Sequence, residues 1–169
     1  MIHEVTGDIL LTAAQAIAHG VAPHDHFDRG LALALRGDWP SMYKDFRHYC
    51  HQSAPKTGTL WTWSGVGGRR IACLFTQEPV PEAGGHPGAA TLENVNHVLR
   101  ALRQLVLSEK FTSLALPRLA TGVGGLNWKD VQPLVVKHLG DLPIPVFVYT
   151  TYRHGVKAPE SLPLAPASA

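Results

Sequence analysis

A glycine-rich stretch in the second half of the chain has the pattern of a strand, a turn and a helix start. Residues 114–116 form a short apolar run that Pro117 ends, residues 121–125 are rich in glycine, and residues 127–130 are typical of a helix N-terminus. A turn placed between a strand and a helix exposes backbone N–H groups that can bind an anion. We therefore predict a diphosphate cradle. The spacing matches neither nucleotide-binding fingerprint, so a plain turn is an equal alternative on spacing alone.

Three titratable side chains near the N-terminus are candidates for acid–base chemistry. His19 ends an apolar run, and Asp25 and Asp28 follow it in a polar loop over residues 22–30. An imidazole can accept or donate a proton near neutral pH, and a carboxylate can act as its partner or as a base. His19 could equally be a hydrogen-bonded residue that shapes a pocket, and loop aspartates are usually solvated.

No metal or cofactor is predicted. His24 and His26 are two residues apart, but no third ligand has suitable spacing. Cys50 and Cys73 form no ligand pattern, and Cys73 lies in an apolar run. We expect it to be a reduced core residue.

Size and charge limit the classes of protein to consider. The chain has 169 residues, of which 45% are apolar, which suits one domain with a substantial core. Its formal net charge is only +2, so a nucleic-acid-binding module is the weakest hypothesis. There is neither a membrane-spanning apolar run nor a signal peptide at the N-terminus. We expect a cytoplasmic monomer without membrane contacts.

Hydrophobic patterning alternates between strands and helices along the chain. Strands are predicted at 2–5, 15–21, 59–63, 70–76, 111–116 and 146–149, and helices at 31–35, 39–50, 91–107 and 130–139. This alternation predicts an α/β fold with a mostly parallel, covered sheet. Ligands of such sheets bind beyond the carboxyl ends of the strands. We therefore expect residues 6–8, 19–20, 76–77 and the glycine-rich stretch to converge.

Four motifs, taken in order, resemble a macrodomain. They are TGDIL at 6–10, IAHG at 17–20, GLA at 30–32 and LPRLATGVGGLNW at 116–128. The resemblance covers about residues 1–149. More narrowly, the chain resembles the branch that holds the terminal ADP-ribose protein glycohydrolase, the DarG antitoxin and the yeast-type ADP-ribose-1''-phosphate phosphatase. It implies a three-layer α/β/α macrodomain with a mixed, mostly parallel central sheet over residues 1–153. The Pro-, Ala- and Ser-rich remainder, residues 154–169, is expected to be a flexible tail.

The resemblance also implies a set of site residues. The ligand-binding residues would be Asp8, Ile9, Gly30, Pro117, Thr121, Gly122, Val123, Gly124, Gly125 and Tyr149. Asp8 would accept a hydrogen bond from the adenine amino group, although a plain turn aspartate is an alternative. Tyr149 or Tyr152 would stack on adenine. His19 would be catalytic, because a histidine at the matching position is implicated in catalysis in the phosphatase-like relatives.

Two further candidates depart from the relatives, which often have small residues in the loop before Gly30. We predict that Asp28 is the second catalytic residue, as a base or as a partner of His19. Arg29 could bind a phosphate of the ligand, or it could equally be an ordinary surface cation.

Two departures from the relatives bear on mechanism. The glycohydrolase and antitoxin relatives carry a nucleophilic lysine shortly after the strand that ends near Phe75, whereas this chain has Gln77 there and no lysine between Lys56 and Lys110. A Schiff-base route through that position is therefore closed. The catalytic aspartate of the human enzyme corresponds to a position near Gly124, which cannot act as a base.

Two functions remain in view. The first is hydrolysis of an ADP-ribosyl adduct or of ADP-ribose-1''-phosphate without a lysine nucleophile. The alternative is a non-catalytic module that binds ADP-ribose or ADP-ribosylated protein or nucleic acid.

Overall fold

A computed structural model describes residues 1–81, 85 and 87–162. The strands are β1 (Ile2–Gly7), β2 (Ala16–Val21), β3 (Leu60–Ser64), β4 (Arg70–Phe75), β5 (Leu114–Pro117) and β6 (Val146–Tyr152). The helices are α1 (Gly30–Asp38), α2 (Pro40–Ser53), α3 (Leu92–Ser108) and α4 (Trp128–Leu139). Each predicted strand and helix is present, with ends that differ by a few residues.

The six strands form one mixed sheet in the order β1-β6-β5-β2-β4-β3. All neighbours are parallel except β3, which pairs antiparallel with β4 at the edge. Side chains of each strand alternate between two cores because successive residues point to opposite faces. One core packs against α3 and α4, and the other packs against α1 and α2. The predicted three-layer α/β/α architecture is confirmed.

The N-terminus and the buried face of helix α3 both follow from its sequence. Thr91 caps its N-terminus by accepting a hydrogen bond from the Asn94 N–H at 3.1 Å. Its buried stripe consists of Val95, Val98, Leu99, Leu102 and Val106. Leu92 has the helical spacing of that stripe but is 40% exposed, and it is the first residue of the helix.

Helix α4 begins at Trp128, two residues before the predicted start at 130. Pro133 therefore lies in the second turn of the helix. Its missing N–H leaves the carbonyl of Lys129 without its helical donor. Lys129 is exposed, so water can satisfy that carbonyl.

The chain returns to the end of β1 after the last strand. The N–H of Arg153 donates to the carbonyl of Gly7, and the N–H of Asp8 donates to the carbonyl of Val156 at 2.7 Å. Ala158 is buried. The flexibility of residues 154–169 stays a prediction, and residues 163–169 lie outside the described part of the chain.

None of the helices within the described residues has both the length and the apolar composition needed to cross a bilayer.

Candidate functional site

A groove of two adjoining cavities lies where the carboxyl ends of the parallel strands meet. The first, here called the distal chamber, has a volume of about 380 Å³ and is lined by His19, Gln77, the loop before α1 and residues 117–124. The second, here called the apolar chamber, has a volume of about 420 Å³. It is lined by Gly7, Ile9, Leu10, Gly30, Leu31, Ala34, Pro117, Tyr149 and Tyr152. The predicted convergence of strand ends is confirmed, and five residues of this lining also line the distal chamber.

The glycine-rich loop forms one wall of the distal chamber. Its internal hydrogen bonds run from the Gly125 N–H to the Gly122 carbonyl (3.1 Å) and from the Leu126 N–H to the Ala120 carbonyl (2.9 Å). The N–H groups of residues 121–124 have no backbone acceptor in the described part of the chain. Thr121, Gly122, Val123 and Gly124 line the chamber, whereas Gly125, which has a φ of 79°, supplies the turn and does not line it. These backbone donors can bind an anion.

Residue 124 has to be a glycine because the backbone of the loop folds back closely on itself at this point. A Cβ atom at Gly124 would lie 2.7 Å from the carbonyl oxygen of Ala120. The carbonyl of Gly124 also accepts a hydrogen bond from the Ala90 N–H at 3.1 Å. The loop therefore contributes main-chain donors and no acid at this position.

The opposite wall comes from the start of α1. Gly30, the first helical residue, has a φ of 54°, a conformation that side chains disfavour. Asp28 and Arg29 are exposed and line the distal chamber. Arg118, on the facing loop, lines it as well. Sequence reasoning did not select Arg118, although its place next to Pro117 in the motif was a usable signal.

Asp25 and Asp28, three residues apart, have different environments. Asp25 is 8% exposed, and its carboxylate accepts hydrogen bonds from the N–H groups of Ala22 (3.0 Å) and Phe27 (2.9 Å). These hydrogen bonds therefore stabilise the conformation of the loop, in which His24 and Phe27 both have positive φ. The carboxylate of Asp28 remains the accessible one in the chamber.

His19 belongs to the floor of the distal chamber and is 1% exposed. Its Nε2 lies 3.3 Å from the sulfur of Cys73, and its ring meets Phe27 edge-on. Nδ1 has no hydrogen-bond partner among the described residues. Burial lowers the pKa of His19 to about 4, so the imidazole is neutral at neutral pH. This favours a role as an uncharged hydrogen-bonding group or weak base over one as a protonated acid.

Gln77 occupies the chamber wall just beyond β4. It is 5% exposed, and its side-chain amide donates to the carbonyl of Gly88 at 3.2 Å. An amide is not a nucleophile, so this part of the wall offers hydrogen bonding and shape.

The three residues expected to contact adenine, Asp8, Tyr149 and Tyr152, differ in exposure and in their hydrogen bonds. Asp8 is 3% exposed, and its two carboxylate oxygens accept hydrogen bonds from the N–H groups of Leu10 and Gly155, each at 3.0 Å. Tyr149 is 6% exposed and donates its hydroxyl proton to Glu160 at 2.6 Å. Burial, followed by this hydrogen bond, raises the pKa of Tyr149. Tyr152 is 61% exposed and lines both chambers, so it has the accessible ring face.

No group of three His, Cys, Asp or Glu side chains arranged for a metal ion occurs among the residues that the structure describes.

Comparisons with known proteins agree with the fold. No family model matches the chain. The chain is 26% identical over 157 residues to a "DNA ADP-ribosyl transferase-DNA ADP-ribosyl glycohydrolase fusion protein" of Thermosipho africanus, with 86% of this chain and 40% of the relative covered. It is 26% identical over 163 residues to an "ADP-ribose 1''-phosphate phosphatase" of Chaetomium globosum, with 85% and 88% covered. The chain thus spans about 40% of the length of the bacterial relatives and most of the fungal one.

Solved structures show the same architecture. The macrodomain of Thermus aquaticus DarG matches with a TM-score of 0.79 and 24% identity, covering 89% of this chain and 98% of that one. Thermosipho africanus DarTG, solved in complex with ADP-ribose, matches with a TM-score of 0.79 and 22% identity, covering 94% of this chain and 43% of that one. The chain therefore has the macrodomain fold, as its four motifs predict.

Proposed function

We propose that this chain binds ADP-ribose in the groove and hydrolyses an ADP-ribose derivative without a lysine nucleophile. The observation that carries the proposal is the set of N–H groups over residues 121–124, which line the distal chamber together with Gly30 and have no backbone acceptor among the described residues. A diphosphate between these walls would extend the adenosine into the apolar chamber and the second ribose toward His19 and Asp28. The names of the sequence relatives, which act on ADP-ribosyl or ADP-ribose derivatives, support this assignment.

Water is the nucleophile in this proposal. Asp28 has the accessible carboxylate of the distal chamber. It would take the proton from the water that attacks the anomeric carbon or, in ADP-ribose-1''-phosphate, the terminal phosphorus, and would return that proton to the departing group as its bond to this atom breaks. The neutral His19 would orient the water or a ribose hydroxyl by a hydrogen bond through Nδ1. The main-chain donors of residues 121–124 and the guanidinium groups of Arg29 and Arg118 would stabilise negative charge on the phosphates.

Turnover of ADP-ribosylated DNA, ADP-ribosylated protein and ADP-ribose-1''-phosphate tests the proposal. We expect release of product by the wild type, a loss of about 100-fold or more in Asp28→Asn, since general acid–base catalysis contributes that much, and a smaller loss in His19→Gln. Asp38→Asn is the matched control, because Asp38 is an exposed aspartate at the end of α1 and does not line the groove. Equal rates in the wild type and in Asp28→Asn would contradict the mechanism.

The alternative is a reader that binds ADP-ribosylated partners without turnover. Gln77 in the chamber wall and the buried, neutral His19 favour it. Calorimetry separates the two functions: binding of ADP-ribose without turnover of any of the three substrates would establish the reader. No heat at millimolar ADP-ribose, from protein that is folded by circular dichroism, would reject both functions.

We also propose that the protein is a cytoplasmic monomer. Both cysteines are buried and unpaired, which is compatible with a reducing compartment. Light scattering coupled to size-exclusion chromatography tests the monomer, and a mass twice that of the chain would overturn it.

A further inference from the structure

The segment after β6 is held at several points, by close packing and hydrogen bonds, beside the proposed adenine end of the groove. Residues 153–160, here called the clasp, pack on the end of β1 so closely that a Cβ atom at Gly7 would lie 2.8 Å from backbone atoms of Val156 and Ala158. Gly155, with a φ of 70°, turns the clasp toward Asp8. The backbone of the clasp is in direct contact with the backbone of β1 here, so there is no room for a side chain at residue 7.

The first anchor of the clasp is Asp8. The backbone of Asp8 donates to Val156, and its carboxylate accepts from the N–H of Gly155 at 3.0 Å. The other carboxylate oxygen accepts from Leu10, which lines the apolar chamber. The clasp therefore fixes the turn that carries Ile9 and Leu10.

The second anchor is Glu160. One of its carboxylate oxygens accepts from the hydroxyls of Thr12 and Tyr149, each at 2.6 Å, and the other accepts from the N–H of Ala13 at 2.9 Å. Tyr149 lines both chambers. The position of its ring is therefore set by an acid that is 11 residues further along the chain.

We propose that Glu160 is a positioning residue for the adenine end of the ligand, acting through Tyr149 and the 8–13 turn. This inference rests on the proposed function, because it takes the apolar chamber to be the adenine subsite. The clasp holds that chamber in its binding shape before the ligand arrives, which reduces the ordering cost of binding. Glu160 does not line the distal chamber, and Ile9 and Leu10 line only the apolar chamber, so we expect its effect to fall mainly on the adenosine half.

The test compares whole and partial ligands. Calorimetry on the full chain measures binding of ADP-ribose and AMP, and a ligand-observed NMR titration measures ribose 5-phosphate. In Glu160→Gln, which keeps the shape but replaces an acceptor by a donor, we expect affinities for ADP-ribose and AMP to fall about tenfold. Affinity for ribose 5-phosphate should stay within about twofold of wild type. Glu109→Gln is the matched control, because Glu109 is also a carboxylate in a polar contact, with Arg70 at 3.0 Å, and Arg70 begins β4 at the strand end away from the groove.

A second variant shows whether Glu160 acts through Tyr149. Tyr149→Phe keeps the ring and removes the hydroxyl, so the double variant Glu160→Gln/Tyr149→Phe should bind AMP no more weakly than Glu160→Gln alone. Unchanged AMP affinity in Glu160→Gln, an equal loss for ribose 5-phosphate, or additive losses in the double variant would each overturn the inference alone. A wild type that binds none of the three ligands would overturn the proposed function, and the inference with it.

Discussion

The thiol sulfur of Cys73 lies 3.3 Å from Nε2 of His19, between neighbouring residues of the paired strands β2 and β4. Burial lowers the pKa of His19 to about 4 and raises that of the Cys73 thiol well above its usual value. Both groups are therefore uncharged near neutral pH. This contact is a neutral thiol–imidazole pair, not the thiolate–imidazolium pair that activates a cysteine nucleophile.

The burial of His19 predicts that acid weakens the fold. The unfolded chain takes up a proton at His19 near pH 6.5, whereas the folded protein resists protonation down to about pH 4. Between these values the unfolded state binds more protons, so the free energy of unfolding falls as the pH falls and is constant above the window. At about 1.4 kcal/mol per pKa unit, the loss attributable to His19 from pH 7 to pH 4 is about 3 kcal/mol.

Urea denaturation of the wild type and of His19→Gln across this range measures the effect. The variant should lack the part of the pH dependence that belongs to residue 19. Parallel curves would assign the dependence to other groups, such as His138, whose pKa burial also lowers.

Substitution of glycine by alanine should change the free energy of unfolding in opposite directions at Gly30 and Gly37 of α1. Gly30 has a φ of 54°, so Gly30→Ala should lower the free energy of unfolding by about 1 kcal/mol. Gly37 lies within α1 with open space around it, so Gly37→Ala should raise it by about 0.5 kcal/mol. Thermal denaturation checks both, and a shift of the same sign in the two variants would contradict the backbone argument.

Substitution of Tyr152 should weaken ligand binding with little effect on stability, whereas substitution of Tyr149 should lower the stability of the fold. Tyr152 is 61% exposed, so Tyr152→Ala should leave the melting temperature nearly unchanged but weaken ADP-ribose binding about tenfold by removing a stacking surface. Tyr149 is 6% exposed, so Tyr149→Ala should cost about 3 kcal/mol of stability. Calorimetry and thermal denaturation on both variants measure the split. Unchanged affinity in Tyr152→Ala would remove this residue from the site.

Gln77→Lys should install an amine in the wall of the distal chamber. Gln77 is 5% exposed there and loses only its hydrogen bond to Gly88. A lysine in this desolvated position would have a lowered pKa and could attack the open-chain aldehyde of ADP-ribose. We expect borohydride to trap an adduct that intact-protein mass spectrometry detects in the variant and not in the wild type. Equal labelling of both proteins would indicate reaction at surface lysines.

Much of the fold follows from local pattern. The apolar stripe of α3, the Thr91 cap and the breaker residues around the strands are decided within a few neighbours along the chain. The glycine-rich loop is similar, since Pro117 restricts the backbone and the glycines permit the tight turn wherever the segment lies.

The sequence patterns miss two kinds of contact at the site: a local turn, and contacts between residues that are far apart along the chain. Asp25 and Asp28 look alike as loop aspartates, yet only Asp25 accepts hydrogen bonds from two neighbouring N–H groups. Such an Asx turn is a local pattern that could have been recognised. Glu160 is different, because its bond to Thr12 spans 148 positions, and composition around it indicates only disorder. Tertiary packing alone selects it.

The close approach of the backbone at Gly124 also limits what substitution can do there. A Cβ atom at this position would lie 2.7 Å from the Ala120 carbonyl oxygen, so an aspartate would force the loop apart before its carboxylate could act. A carboxylate that reaches into the distal chamber therefore has to come from another segment of its lining.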